Sequence, residues 1–421
     1  MSAAAASSAL AERARELDRA DPLAALRAEF IAADDVVSYL DGNSLGRPLR
    51  ATRERLADFV THVWGGRLIR GWDERWMDAP TEVGDQLARL TLGAARGQTV
   101  IGDCTSVLLY KLMRAGVGAQ PERRVLVMDS GNFPTDRFIA QSVAAECGLT
   151  LRTIDPAPRA AVSIEDVAGA LDEQVALLVL SHVDYRSAEI ARLAEITALV
   201  HAAGALVLWD LSHSAGVVPV GLDAAGADLA VGCTYKYLNG GPGSPAFLYV
   251  AAGLQDRLGQ PITGWMGAAE PFAMGPGYAP ASGIRRFLSG TPPILGMLAL
   301  RDMLALIDRA GLDRIRAKSV ALTEFAIECS DALLAPLGVE LASPREATVR
   351  GGHVMLEHDA FRELTPVLWA RGVIPDFRPP RGLRIGLSPL STSFAELETG
   401  IAVVAELLAR RTAPARRAAQ P

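Results

Sequence analysis

Between about residues 82 and 250 the chain alternates strand-length apolar runs with helix-length segments, and this alternation limits the fold more than any other feature. The apolar runs fall at 99–101, 124–128, 149–154, 175–180, 205–209, 229–232 and 246–250, and helices are predicted over 82–93, 105–115, 135–147, 164–171 and 188–202. A run such as Val175-Ala176-Leu177-Leu178-Val179-Leu180 has no polar face, as expected of a strand covered on both sides. Strands separated by crossover helices imply an α/β fold with a mainly parallel sheet.

The flanking regions read differently. A helix is expected over 8–30, broken by Pro22, then a strand at 36–40 and a turn-rich loop from Asp41 to Gly46. A helix should cover 49–62, and 64–80, with Trp64, Trp72 and Trp76, reads as an ordered loop. Residues 251–293 are rich in Gly and Pro. A long interrupted helix should span 294–331, followed by strands at 338–341, 353–357 and 383–387 and helices at 360–371 and 393–409. At 421 residues the chain exceeds one simple core. The expected division is an N-terminal segment (1–65) that joins a small domain and the edge of the active site, a large domain (66–293), a smaller α+β C-terminal domain (294–410) and a frayed Ala/Arg/Pro-rich tail (411–421).

Composition removes several function classes. Net charge is -6, from 42 basic and 48 acidic side chains, so nothing steers the molecule toward nucleic acid or an anionic membrane. No apolar run has the length of a membrane span, and the first residues lack the pattern of a signal peptide. The four cysteines are too far apart for a zinc knuckle, and His353 and His358 lack a third ligand, so no metal is expected. A reducing, cytoplasmic location follows as the expectation.

One constellation carries chemistry. The run 205–209 ends in Asp210, at the carboxyl edge where open α/β sheets bind ligands. An aspartate there can hold a proton on a pyridinium nitrogen, or it can cap a helix. Lys236 follows the run 229–232 and precedes Leu238-Asn239-Gly240-Gly241. A lysine in a crevice is suited to Schiff-base chemistry and then to base catalysis; a snorkelling surface lysine is the plain alternative. The glycine-rich loop lacks the ending of a P-loop, so a phosphate needs other donors. Asp103-Cys104-Thr105-Ser106 opens a helix after a strand and offers hydroxyls and N–H groups. Phe133 could stack on a ring, and Asp136 could face a cofactor or cap a helix.

These segments resemble kynureninase, a family of pyridoxal-phosphate (PLP) enzymes of fold type I, related in fold to the aspartate aminotransferases. The resemblance rests on Tyr39-Leu40-Asp41-Gly42-Asn43-Ser44-Leu45-Gly46, Asn132-Phe133-Pro134-Thr135-Asp136, Trp209-Asp210-Leu211-Ser212-His213-Ser214-Ala215-Gly216, Gly232-Cys233-Thr234-Tyr235-Lys236-Tyr237-Leu238-Asn239-Gly240-Gly241, Gly264-Trp265-Met266-Gly267 and Gly290-Thr291-Pro292-Pro293, and it runs from about residue 20 to 410.

The resemblance implies hydrolysis of the Cβ–Cγ bond of kynurenine or 3-hydroxykynurenine in tryptophan degradation by the kynurenine pathway, one route toward NAD biosynthesis. It makes Lys236 the Schiff-base lysine, Asp210 the partner of the pyridine nitrogen, and Thr105, Ser106, His213 and Tyr235 cofactor or phosphate contacts. Phe133 becomes the stacking ring, with Asp136 beside the cofactor. Tyr235 is also the expected proton-transfer group. Trp265 and Thr291 resemble residues lent by a partner subunit, which implies a homodimer. Arg384 resembles the arginine that binds the substrate α-carboxylate, and Ser44 and Trp72 resemble residues near the aryl group. Two departures stand out: Ser212 where the family usually has alanine, and Met266 where it has phenylalanine, a position that would bear on aryl preference if the side chain reached the substrate. Among rival fold-type-I activities, a desulfurase needs a nucleophilic cysteine on a mobile loop, and neither Cys233 nor Cys329 fits; an aminotransferase would need a keto acid to turn over.

Overall fold

The larger unit, Leu45–Tyr185 with Glu189–Arg316, is built on a seven-stranded sheet. The structure, a computed structural model, describes residues 3–157, 159–273 and 275–412. In chain order the strands are β1 (Thr99–Gly102), β2 (Val125–Asp129), β3 (Thr150–Ile154), β4 (Val175–Ser181), β5 (Leu206–Asp210), β6 (Leu229–Gly232) and β7 (Ala246–Val250). Their order across the sheet is β1-β7-β6-β5-β4-β2-β3. All neighbours are parallel except β7, which runs antiparallel to both β6 and β1. The six strands β1 to β6 therefore end on the same edge. All seven runs read from the sequence are strands, and β4 through β7 are buried almost throughout, as their lack of a polar face requires.

Local signals set the crossover helices. Pro134 opens Pro134–Cys147, and Gly148, at φ +64°, ends it. Ser163 and Asp166 form a reciprocal capping box on Ile164–Ala170. Helix Thr105–Gly118 lies against Pro134–Cys147 and buries Leu108, Leu109, Leu112 and Met113 in the core beneath the sheet. The region 64–80 is not the loop expected: short helical turns span Gly65–Arg67, Leu68–Arg70 and Trp72–Trp76. Edge-on contacts of Trp72 with Trp76 and Trp265 hold them, and such long-range packing is invisible to local periodicity.

The second unit comprises residues up to Ser44, the short segment Arg186–Ala188 and residues from Ala317 onward. Its antiparallel sheet runs in the order Asp376–Arg378, Gly382–Gly386, His353–Glu357, Glu340–Leu341, and Ser38–Tyr39 pairs in parallel with Val373–Ile374. The helix predicted over 8–30 is instead Ala3–Ala20 followed by a separate turn, Ala24–Glu29, and the strand expected over 36–40 shortens to two residues. The long helix expected over 294–331 is two, Ile294–Ala310 and Leu312–Cys329, parted at Gly311 with φ +79°. Helix Ala3–Ala20 packs on Phe394–Thr412, so Ala6, Leu10 and Ala14 share a core with Leu397, Ile401 and Val404. The last helix takes in Arg411 and Thr412; the rest of the tail read as frayed, 413–421, lies outside the described residues.

Candidate active site

Five of the strands that end on the common edge of the large sheet, all but β3, deliver polar side chains to one cavity of about 530 Å³. After β1 come Thr105 and Ser106; after β2, Phe133, Thr135 and Asp136; β4 ends in Ser181 and leads to Tyr185; β5 ends in Asp210 and leads to Ser212 and His213; after β6 come Tyr235 and Lys236. All eight residues that the sequence marked for cofactor binding on these segments are brought together.

The turn that presents Lys236 is tightly made. Gly240 N donates to Thr234 O (2.9 Å), Asn239 N donates to Lys236 O (3.0 Å), and Asn239 adopts φ +48°. The Thr234 hydroxyl donates to Pro245 O at 2.6 Å, which fixes the base of the turn on the segment entering β7. Gly46 N donates to Tyr235 O at 2.8 Å, and a Cβ on Gly46 would lie 2.6 Å from Lys236 O, so glycine is required at this approach. Lys236 Nζ lies 3.4 Å from His213 Nδ1 and 5.9 Å from the centroid of the Phe133 ring. Phe133 is itself held edge-on by Tyr185, with centroids 5.3 Å apart.

The carboxylates divide by environment. Asp210 is buried and lines the cavity, and its Oδ1 accepts from Ser212 N at 2.8 Å, so it caps the following turn. Asp136 is buried, and its Oδ2 has no hydrogen-bond partner among the described residues. Burial, and then the neighbouring Asp210, raise its pKa well above the usual carboxylate range, with Lys236 opposing. Asp129, behind it, is pushed up to about 7 by burial and by Asp184. Burial foremost also raises the Tyr235 phenol above its ordinary value, so it stays a proton donor across the physiological range.

The residues read as substrate contacts are elsewhere. Arg384, on strand Gly382–Gly386 in the second unit, is buried and donates to the Ser44 hydroxyl at 2.6 Å. It pairs with Asp376 at 2.7 Å, its register partner on the adjacent strand, and Asp41 lies 3.9 Å away. With the Asn43 amide turned to suit both neighbours, its oxygen accepts from Arg384 Nε at 2.9 Å and its nitrogen donates to Asp41 at 3.2 Å. Gly386 makes this packing possible, since a Cβ there would come within 1.8 Å of Asn43. Burial raises Asp41 to about 6.

Trp265 and Thr291 do not line the Lys236 cavity. Thr291 borders a separate, apolar cavity of about 730 Å³ with Trp64, Trp72 and Trp76, and Trp265 packs edge-on against Trp72. Met266 is buried in the core of the large unit, so within this chain its volume is a packing matter. Ser212 lines the Lys236 cavity, and its hydroxyl accepts from Cys233 N at 3.2 Å. Ser181, Thr135 and Tyr185 were missed. A polar residue closing the apolar run 175–180 was a usable signal for Ser181; nothing local marks Tyr185.

The arrangement fits a cofactor with an aldehyde, an aromatic ring and an anionic group. Thr105 and Ser106 open a helix whose Cys104 cap supplies no side-chain bond, an aromatic ring stands over the lysine, and the buried Asp136 Oδ2, unpaired among the described residues, can bond to such a group.

Comparison with known proteins agrees, beginning with the class. Over 91% of this chain and 98% of the other, the fold superposes on a cysteine desulfurase from Thermococcus onnurineus with a TM-score of 0.80 at 20% identity. It also superposes on C-DES, solved as a mutant with glycine covalently linked to its PLP cofactor, with a TM-score of 0.78 at 18% identity over 88% of this chain and 96% of that one. The architecture is that of fold-type-I PLP enzymes. Residues 315–404 match the family model of the kynureninase C-terminal domain. Kynureninase of Pseudomonas fluorescens is 42% identical over 94% of this chain and 95% of its own length, and that of Burkholderia pseudomallei is 43% identical over the same shares. The chain belongs to the kynureninase family.

Proposed function

We propose that this protein hydrolyses the Cβ–Cγ bond of kynurenine, releasing anthranilate and alanine in the degradation of tryptophan, with pyridoxal phosphate as its cofactor. The observation that carries the reading is the convergence of Lys236, Asp210, Tyr235, Asp136 and the Thr105–Ser106 helix start on one cavity, in a chain of this family.

Bound there, pyridoxal phosphate supplies an aldehyde that captures the substrate amine and a ring that stores the electron pair left at Cα. The chain supplies the rest. Lys236 anchors the aldehyde and, once released by the substrate, takes the Cα proton on Nζ. Asp210 holds a proton at the pyridine nitrogen. The Thr105 and Ser106 hydroxyls and the open N–H groups of their helix bind the phosphate. Phe133 would stack on the ring, and Asp136 and His213 would hold it from the cavity wall. Tyr235, kept protonated by burial, delivers a proton at the substrate carbonyl or at Cβ as the bond breaks. Arg384, oriented by Ser44 and Asp376, takes the α-carboxylate; Ser44 and Trp72 shape the aryl end.

The finer assembly belongs to the same reading: a homodimer in which each subunit lends Trp265 and Thr291 to the partner's phosphate. A reducing, cytoplasmic setting suits four cysteines that are all free. Desulfuration is disfavoured, because the relatives at 42–43% identity are kynureninases, whereas the likeness to a desulfurase is at 20% identity.

The test is turnover of kynurenine and 3-hydroxykynurenine with chromatographic identification of the aryl amine and alanine. Equimolar alanine and anthranilate, or its 3-hydroxy form, are expected, and Lys236→Ala should lose turnover and the visible absorbance of the bound cofactor. Absence of both aryl products from the cofactor-loaded protein overturns the assignment.

A further inference from the structure

Lysines number three among the 42 basic side chains, at positions 111, 236 and 318. Lys236 is the proposed cofactor anchor, and Lys318 pairs with Asp21 inside the second unit. Lys111 has no part in the mechanism above. It is fully buried in helix Thr105–Gly118, about one and a half turns from the proposed phosphate donors at the start of that helix. Its Nζ contacts Asp103 Oδ2 at 2.6 Å and donates to Phe287 O at 3.2 Å. Asp103 is the turn residue just before Cys104-Thr105-Ser106. It holds φ +45°, a conformation aspartate tolerates better than most side chains, and its carbonyl accepts from Ala246 N at 3.0 Å.

Two consequences follow from this geometry. The turn is tied at three points, to Lys111, to β7 through Ala246, and through Lys111 to Phe287. Its carboxylate also sets a negative charge beside donors meant for a phosphate, where it opposes binding. The Lys111 ammonium cancels that charge from a position water does not reach.

We infer that Lys111 is a positioning residue for the cofactor phosphate: with Asp103 it holds the turn that presents Thr105 and Ser106 and neutralises the carboxylate beside them. This rests on the reading that the phosphate binds at Thr105 and Ser106.

The experiment measures binding of pyridoxal phosphate and of pyridoxal, which lacks the phosphate, to the full-length apo-protein by equilibrium dialysis. Wild-type protein should bind the phosphate ester far more tightly; equal affinities would overturn the phosphate reading and this inference with it. Lys111→Met should weaken pyridoxal phosphate about 10-fold or more while changing pyridoxal by no more than about 2-fold. The double variant Asp103→Asn with Lys111→Met, which removes both charges but not the need for the tie, should recover the part of the loss due to the uncompensated carboxylate. If Lys111→Met does not fold, Lys111→Gln deletes the same charge, keeps a donor toward Asp103, and should show the same selective loss. With wild-type preference intact, the inference is overturned if the charge-deleted protein keeps wild-type affinity, if both ligands weaken equally, or if the double variant binds no better than the single.

Discussion

Arg384 carries its charge inside a balanced cluster. Arg378 and Arg384 face Asp376 and Asp41, with Ser44 and Asn43 completing the shell. Asp41 is raised to about 6 by burial, so the cluster is neutral above that pH and gains a positive charge below it. A carboxylate substrate should therefore bind better as pH falls through about 6. Asp41→Asn should lower KM about 3-fold at pH 8 and flatten its pH dependence, leaving kcat nearly unchanged. Steady-state KM from pH 5 to 8 checks this, and a variant whose profile follows wild type would refute it. Residues of this kind differ in how much the sequence discloses. Asp210 and Lys236 were legible because each follows an apolar run at a strand's carboxyl end. The Asp376 partnership was not, because it depends on register between strands eight residues apart, one of which periodicity did not reveal.

At the scale of elements, the parallel strands and their helices were legible because burial on both faces leaves long apolar runs. The turns over 64–76 were not, since aromatic packing across sequence decides them. The pairing of β4 with β5 continues past the end of β4, where His182 N donates to Asp210 O at 2.9 Å. The His182 ring is sealed there against Trp209, with its Nδ1 2.9 Å from the Ser214 hydroxyl. Burial lowers its pKa from 6.5 to about 4. A depressed histidine leaves the unfolded chain holding more protons between these values, so its contribution to stability is intact above pH 6.5 and lost as pH falls toward 4. Wild-type protein should lose on the order of 2–3 kcal/mol from this group by pH 4. His182→Gln should have a shallower acid limb in urea melts run from pH 7 to 4; parallel limbs would remove His182 as a source of acid sensitivity.

At the scale of the whole molecule, the large unit presents Leu56, Val60, Trp64, Leu68 and Ile69 to solvent, next to the apolar cavity bordered by Thr291 and Pro292. Exposed apolar side chains so near one another in sequence favour a cover, and a second copy of the chain would supply it in the proposed homodimer. Light scattering should give a mass near twice the 44.6 kDa of the chain. Replacing Leu68 and Ile69 together with glutamate should shift the protein to monomer and reduce turnover; a fully active dimer after that change would place the interface elsewhere. Another property of the whole follows from the packing of Ala3–Ala20 on Phe394–Thr412. On the ribosome the first helix emerges with its apolar stripe bare and keeps it bare while some 370 intervening residues are made, roughly 20 seconds or more at ordinary elongation rates. The large unit can fold meanwhile, but the second closes only after synthesis of its last helix. Helix Ala3–Ala20 is thus a natural client for a chaperone until its partner helix has been made.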